Sequence, residues 1–239
     1  VNKRRIKVDY RVKAGDIVRI PPVFLPDTPD APIISDRRSD QLTDAIVFED
    51  DDWLVVNKPY GIAVHGGSGL SYGLIEAMRR VRDDCRFLEL CHRIDRDTSG
   101  CVVIAKKRSA LKRFHAALRE KTLEKRYWAL VCGRWPVAVD AMNVALEKNV
   151  LQSGERMVKA SSDGKASRTL FSIIRKFDSY TLIEAQPITG RTHQIRVHAK
   201  IAGSPIVGDV KYGIDTVNEQ FKQLGRCLLY TSDAADDTR

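Results

Sequence analysis

The segment Cys91–Gly100 concentrates side chains that could perform acid–base or nucleophilic chemistry. Asp95 and Asp97 lie two residues apart among basic side chains, directly before an apolar run at Cys101–Ala105. A loop held by a buried strand is a common position for catalytic residues. The same residues could form a surface loop whose charges pair with one another. The local density of charge does not choose between these two interpretations.

Two other chemistries use related residues. A glycosidase places carboxylates on both sides of the bond that it cleaves, but the spacing of Asp95 and Asp97 does not show whether both face one cleft. A protein kinase loop requires His, Arg and Asp in direct succession, whereas Ile94 separates Arg93 from Asp95. The chain also lacks the kinase glycine-rich loop and the Asp-Phe-Gly sequence. A glycosidase is a distant alternative, and a kinase is a weaker one.

Composition indicates an ordinary globular protein, and its basic charge makes an anionic partner worth considering. Of the 239 residues, 43% are hydrophobic and 30% are charged, and the formal net charge is +9. A positive charge favours nucleic acid only weakly by itself. The five cysteines include no C-x-x-C pair, which argues against a disulfide framework or a cysteine zinc site. No apolar run approaches the ~18 residues of a membrane span. We therefore expect a soluble, cytoplasmic protein, and the absence of an initial Met suggests that a longer protein contains this chain.

The elements that must position the loop mix strands and helices without strict alternation. A hairpin is predicted around Ile46–Phe48 and Trp53–Val56, and helices are predicted at Tyr72–Val81 and Thr192–Ala202. Ser109 is predicted to cap a further helix. Strands are predicted at Val102–Ala105, Tyr127–Val131, Ser167–Ile174 and Tyr180–Ala185. This pattern favours an α+β fold with a mixed, largely antiparallel sheet flanked by helices.

Four segments, in order, resemble the motifs of the RluA-type pseudouridine synthases. The segments are Asn57–His65, His92–Gly100, Lys125–Val131 and Gly190–His198. The resemblance covers roughly Asp44 to Tyr212, and it implies a C-terminally truncated pseudouridine synthase catalytic domain at residues 44–226. Residues 1–22 resemble the end of an S4-like RNA-binding domain, and the proline-rich residues 23–43 are predicted to be a linker.

The resemblance implies a catalytic group of Asp95, Tyr127 and Arg191. Asp95 matches the nucleophile, and Arg191 matches its basic partner, which would keep the carboxylate ionised and oriented. Tyr127 matches the residue that stacks on the uracil and is a candidate to take the C5 proton. Asp97 would hold the loop through hydrogen bonds to backbone N–H groups.

Further residues are predicted to contact the substrate. Ile195 would form an apolar wall of the uracil pocket, and Lys58 and Arg196 would also bind substrate. Arg196 shares a helix face with Lys200, from which both could reach phosphates. Because a uridine inside folded RNA must be flipped out, Arg93 is hypothesised to occupy the vacated position in the base stack.

The implied reaction is the isomerisation of specific uridines in large-subunit, 23S-type ribosomal RNA. Substrate and product are isomers, so no redox cofactor, metal or nucleotide is needed, and no dinucleotide, Walker or Cys/His metal motif is present. His193 and His198 are five apart, off the same-face spacing of a helix, so a structural or phosphate-contacting role is favoured over a metal site. A tRNA isomerase of the same family and a non-catalytic RNA-binding protein remain alternatives. A monomer is expected.

The last residues depart from the family pattern. Beyond Gly225-Arg226, residues 227–239 show little core-forming pattern apart from Leu228 and Leu229. We expect this anomalous tail to replace a core strand, to leave a sheet edge unpaired and to lower stability relative to a full-length relative.

Overall fold

The computed structural model of the chain describes residues 2, 10–18, 36–66, 72–150, 156–221 and 229–232. Residues 1–32 and 33–239 form two compact units. In the first unit the described residues form a turn at Ala14-Gly15, where the Asp16 carboxylate accepts hydrogen bonds from the Lys13 N–H and the Tyr10 hydroxyl. Most of the predicted S4-like segment lies outside the described residues, so that assignment stays a prediction.

The second unit contains five helices and eleven strands in its described part. The helices are Asp36–Asp44 (α1), Leu74–Val81 (α2), Arg108–Glu120 (α3), Gln194–Ile201 (α4) and Asp215–Phe221 (α5). The first strands are Ile46–Glu49 (β1), Trp53–Lys58 (β2), Glu89–Leu90 (β3), Thr98–Ala105 (β4), Arg126–Cys132 (β5) and Ala141–Asn143 (β6). The others are Leu146–Val150 (β7), Arg156–Ala160 (β8), Arg168–Lys176 (β9), Tyr180–Pro187 (β10) and Leu229–Ser232 (β11).

Nine of the described strands of the second unit form one large sheet. Its path is β1-β2-β4-β11-β5-β10-β9-β6, and β3 also pairs with β4. All of its pairs are antiparallel except β11 with β4, while β7 and β8 form a separate antiparallel hairpin. The predicted α+β architecture with a mixed, largely antiparallel sheet is therefore confirmed.

Strand β11 changes the interpretation of the tail. It lies between β4 and β5, parallel to the first and antiparallel to the second, with Tyr230 opposite both Ser99 and Trp128. The expectation that the tail leaves a sheet edge unpaired is wrong. Both neighbours are internal strands, so these four residues supply the hydrogen-bonding partners that join the two halves of the sheet.

Two apolar clusters form most of the core. One contains buried residues of β2, α2 and β4, and its α2 members Leu74, Ile75 and Met78 follow helical spacing. The other joins β5, β9, β10 and α4. Tyr127 is partly buried and packs against both clusters. The start of β5 therefore lies where the two halves of the core meet.

Two local predictions need correction. Residues 36–43 were expected within the linker, but α1 covers them and its Leu42 is fully buried in the first apolar cluster. Burying a leucine stabilises a fold by about 1.5–3 kcal/mol, which outweighs the poor helical pattern of this short segment. Ser109 does not cap α3, since the N-cap residue is Lys107 and the helix begins at Arg108. In the described part of the chain, no helix is both long and apolar enough to cross a membrane.

Candidate active site

Asp95 lies in the loop of residues 91–97 that joins β3 to β4. The two strands pair with each other, so the chain must reverse between them, and the Thr98 N–H donates to the Asp95 carbonyl at 3.1 Å. The Gly61 N–H donates to the neighbouring Arg96 carbonyl at 3.0 Å. These main-chain bonds hold the loop while the Asp95 side chain stays 27% exposed and lines a cavity of about 380 Å³.

Arg196 of α4 forms the closest ion pair with Asp95. Its Nη1 lies 3.0 Å from Asp95 Oδ2, and the His193 Nε2 lies 3.8 Å from the same oxygen. The remaining guanidinium atoms bind Asp209 as a fork, with Nε at 2.8 Å from Oδ2 and Nη2 at 2.7 Å from Oδ1. Burial opposes the charge of Arg196, but the bonds to Asp209 and Asp95 outweigh it and raise the pKa of the guanidinium.

Asp209 is itself held rigidly. Its side chain is fully buried, and its Oδ1 accepts main-chain N–H groups of Lys211 and Tyr212 at 2.9 and 3.1 Å. A Cβ at Gly213 would lie 2.3 Å from the Asp209 carbonyl oxygen, so this close turn requires glycine. Because the turn holds the Asp209 carboxylate in place, it also fixes the Arg196 guanidinium that binds it.

The predicted pairing of Arg191 with Asp95 is wrong. Arg191 is exposed on the loop before α4, and its Nε donates to the Ala166 carbonyl at 3.1 Å. Arg196 lies two residues into α4, within a run of buried residues, and its guanidinium reaches the Asp95 loop. The two arginines occur five residues apart in one motif, and their positions in the sequence do not distinguish the exposed side chain from the buried one.

Two predicted substrate contacts also need correction. Arg196 is 6% exposed and holds two carboxylates, so it does not reach phosphates with its exposed neighbour Lys200. Lys58 is fully buried and lies outside the cavity lining. Its ammonium donates to the carbonyls of Pro59, Ile62 and Arg96 at 2.9, 2.8 and 3.1 Å. Lys58 therefore connects the first motif to the Asp95 loop from inside the protein.

The other predicted residues line the cavity with Asp95. Tyr127 and Ile195 are at least partly buried there, whereas Arg93 is exposed. Burial, followed by the negative charge of Asp95, raises the pKa of Tyr127 to about 12, so the phenol is protonated at neutral pH. Asp97 lies in the same loop, where its carboxylate accepts from Arg96 Nε at 3.2 Å.

Histidines of the α4 region make polar contacts with neighbouring side chains. His193 Nδ1 lies 2.9 Å from the Tyr212 hydroxyl. His198 is fully buried, with its ring nitrogens 2.9 Å from the hydroxyls of Thr169 and Ser167. Across the ranges that the structure describes, no group of three metal-ligating side chains occurs.

The Gln194 side-chain amide stabilises the loop before α4 through hydrogen bonds. Its Oε1 accepts from the Thr189 hydroxyl at 2.7 Å and from the Arg191 N–H at 3.0 Å, and its Nε2 donates to the Arg168 carbonyl at 2.9 Å. The buried amide thus holds one wall of the cavity, which extends through Gly190.

Sequence reasoning missed Asp209, Gln194 and Lys125 as site residues. Gln194 and Lys125 lie inside recognised motifs, and Lys125 precedes Tyr127 by two residues, the spacing that places strand side chains on one face. Asp209 lies beyond the last motif, and only its position between apolar residues and glycines could have indicated a buried, paired carboxylate.

Comparisons with known proteins identify the family of the chain. The family model of RNA pseudouridylate synthases matches residues 52–200. Ribosomal large subunit pseudouridine synthase C of Pasteurella multocida is 54% identical over 231 residues, which cover 96% of this chain and 71% of the relative. The Escherichia coli protein of the same name is 50% identical over 229 residues, covering 95% of this chain and 72% of the relative.

Solved structures show the same fold. Human RNA Pseudouridylate Synthase Domain Containing 4 has a TM-score of 0.66 at 23% identity, covering 80% of this chain and 84% of that structure. Human RNA Pseudouridylate Synthase Domain Containing 1 has a TM-score of 0.64 at 26% identity, covering 78% and 76%. On the family match and the identity to these relatives, the chain belongs to the RNA pseudouridylate synthase family and is an RNA pseudouridine synthase.

Proposed function

We propose that this enzyme converts specific uridines of large-subunit ribosomal RNA into pseudouridine, with Asp95 as the nucleophile. The proposal depends chiefly on one observation: a carboxylate ion-paired to Arg196 faces a cavity that Tyr127 also lines. The substrate class follows from the relatives named ribosomal large subunit pseudouridine synthase C, which this chain matches over most of its length.

The proposed chemistry moves the uracil from one ribose bond to another. Asp95 attacks either C1′ of the ribose or C6 of the base and forms a covalent intermediate. The C1′–N1 bond breaks with its electron pair going to the base, which turns within the cavity. C5 then bonds to C1′, the bond to Asp95 breaks, C5 loses a proton and N1 gains one. Atoms and electrons balance without an external oxidant or reductant.

The roles of the surrounding residues follow from their positions. Arg196 keeps Asp95 ionised and oriented, because its guanidinium is fixed by Asp209 on the other side. Tyr127 would stack on the uracil, and Ile195 would provide an apolar wall. Arg93 is exposed at the cavity, where it would enter the base stack after the uridine flips out.

Exposed cations at the cavity would contact the RNA backbone. Arg191 and Lys148 both line it, and Lys148 belongs to the β7–β8 hairpin. Phosphate contacts of this kind increase affinity in a salt-dependent manner without selecting a sequence. The cytoplasmic location, the monomeric state and the lack of a cofactor remain predictions.

The test is release of tritium from C5 of labelled uridine in large-subunit ribosomal RNA. C5 must lose its hydrogen when it becomes the glycosidic carbon, so release reports the isomerisation itself. We expect release by the parent protein and none by Asp95→Asn. Asp84→Asn, which alters an exposed carboxylate paired with Arg82, is the matched control and should retain activity.

The alternatives have distinct outcomes. Release from labelled tRNA but not from ribosomal RNA would replace the proposed substrate. RNA binding by a folded parent protein without any release would favour a non-catalytic RNA-binding protein. Free uracil among the products would indicate glycosidase chemistry.

A further inference from the structure

Lys125 is a cation inside the active-site cavity that the chemistry proposed above does not yet use. It directly precedes β5 and lines the cavity together with Asp95 and Tyr127. A Cβ atom built on Gly190 would lie 3.8 Å from its Nζ, so the ammonium lies beside the wall formed by the Gly190–Arg191 loop. The side chain is partly buried.

Within the described ranges, the ammonium of Lys125 makes no hydrogen bond and no ion pair. The other buried cations here differ sharply, since Arg196 holds two carboxylates and Lys58 donates to three carbonyls. Burial lowers the pKa of Lys125, and its positive charge helps to lower the pKa of nearby His92. A partly buried charge without a partner is costly. An unpaired ammonium in a cavity is expected where an anionic ligand binds and supplies the missing partner.

The position of Lys125 indicates which anion it meets. Three other cations that line the cavity, Arg93, Lys148 and Arg191, are exposed and suited to phosphates at its rim. Lys125 instead is partly buried, and it lines the same cavity as Tyr127, which lies two residues further along the chain. When the C1′–N1 bond breaks, the base receives the electron pair, and the charge spreads from N1 to its carbonyl oxygens.

We propose that Lys125 is a further catalytic residue, whose ammonium donates a hydrogen bond to a carbonyl oxygen of the detached uracil. This inference rests on the proposed function. The lysine forms no covalent bond and transfers no proton. It stabilises the negative charge that the base carries between cleavage at N1 and bond formation at C5, as positioned donors stabilise oxyanions in other enzymes.

The first experiment compares Lys125→Met with the parent protein in single turnovers with saturating enzyme, read as tritium release. Loss of one oxyanion donor typically lowers the rate by about 100- to 1000-fold, and we expect a loss in this range. Binding of the RNA should change less than threefold. Lys107→Met is the matched control, because Lys107 pairs with Asp52 on the surface and should keep the parent rate.

Thiouridine substrates identify the contacted oxygen. Sulfur accepts hydrogen bonds poorly, so 2-thiouridine or 4-thiouridine at the target should slow the parent enzyme if that position meets Lys125. In Lys125→Met the same substitution should cause little additional loss, because the contact is already gone. The proposal would be overturned if, for 2-thiouridine and for 4-thiouridine alike, the rate loss from the thio substitution were as large in Lys125→Met as in the parent enzyme.

Two further outcomes would also contradict it. A rate for Lys125→Met within threefold of the parent would remove Lys125 from the chemistry. Weaker binding at an unchanged single-turnover rate, with the salt dependence of binding reduced by about one ion, would assign Lys125 to a phosphate. A thermal melt must show that Lys125→Met is folded. Failure of the proposed function can be distinguished from failure of this inference, because in the first case the parent protein itself would release no tritium.

Discussion

Arg196 Nη1 lies 3.0 Å from Asp95 Oδ2, although 101 residues separate the two in the chain. The contact joins the loop before β4 to helix α4, and each element belongs to a different half of the core. Arg196 is simultaneously bound by Asp209, so one guanidinium connects an accessible carboxylate to a fully buried one. The orientation of the Asp95 carboxylate therefore depends on the packing of distant segments.

Asp209→Asn should destabilise the protein and lower activity. Removing one charge from a buried pair typically costs about 3–5 kcal/mol, because the other charge is left uncompensated. We expect the free energy of unfolding to fall by about 3 kcal/mol, the lower end of this range, because Asp95 still binds Arg196. Urea unfolding measures the change, with Asp84→Asn as a surface-pair control that should lose less than about 1 kcal/mol. An unchanged unfolding midpoint for Asp209→Asn would contradict this assignment.

Lys58→Met should weaken the attachment of the Asp95 loop. The substitution keeps an apolar chain of similar length but leaves the buried carbonyls without their ammonium donor. An unsatisfied buried acceptor costs about 1–3 kcal/mol. Only the Ile62 contact is fully buried, and the other two are part-buried, so we expect a total loss of about 2–4 kcal/mol by urea unfolding. Lys107→Met on the surface is the control. Full stability of Lys58→Met would show that the three carbonyl contacts are dispensable.

The stability of the folded protein should fall between pH 7 and pH 5 through His198. Burial lowers the pKa of His198 to about 4, below the ordinary value of about 6.5 for an unfolded histidine. The unfolded chain therefore binds the proton more readily between these values. The contribution to stability is present above pH 6.5 and decreases as the pH falls toward 4.

The expected loss from His198 is about 2 kcal/mol at pH 5. Urea unfolding of the parent and of His198→Gln at both pH values measures it, with His65→Gln at an exposed position as the control. The parent should lose about 2 kcal/mol more than His198→Gln. Equal losses would mean that His198 is not held neutral. His92, whose pKa burial also lowers to about 4, should add a similar effect.

Tyr230→Pro should disrupt the large sheet. Proline removes the backbone N–H in the middle of β11, which pairs with strands on both sides, and such a change costs about 3 kcal/mol or more. Thermal melting measures the effect, and Tyr230→Val, which keeps the N–H and a strand-favouring side chain, is the control. If the proline variant melted like the valine variant, β11 would not contribute to the stability of the sheet.

Arg93→Ala should slow turnover on folded RNA more than on a short single-stranded oligonucleotide. If Arg93 fills the position left by the flipped uridine, the benefit exists only where the target is stacked. The ratio of the two single-turnover rates is the measurement, and we expect it to change by about tenfold. A variant that retains the parent rate on folded RNA would remove this role from Arg93.

The sequence by itself determined the α+β class, the family resemblance and the loop that carries Asp95. These follow from local patterns: an apolar strand after a charged loop, periodic helices and motifs of contiguous residues. Tyr127, Ile195 and Arg93, which the resemblance implied as site residues, line the cavity together with Asp95. Whether each performs its predicted role remains for the experiments above.

Only the tertiary structure decided which side chains meet. The resemblance assigned the pairing to Arg191, whereas the burial of α4 against the Asp95 loop made Arg196 the partner of Asp95. Lys58 looked like a substrate contact, yet folding buried it among carbonyls. Strand β11 lacked a strong apolar pattern, but a gap between β4 and β5 gave its backbone partners on both sides. Periodicity along a chain reports local conformation, whereas these contacts join segments far apart in sequence, so only the packed fold defines them.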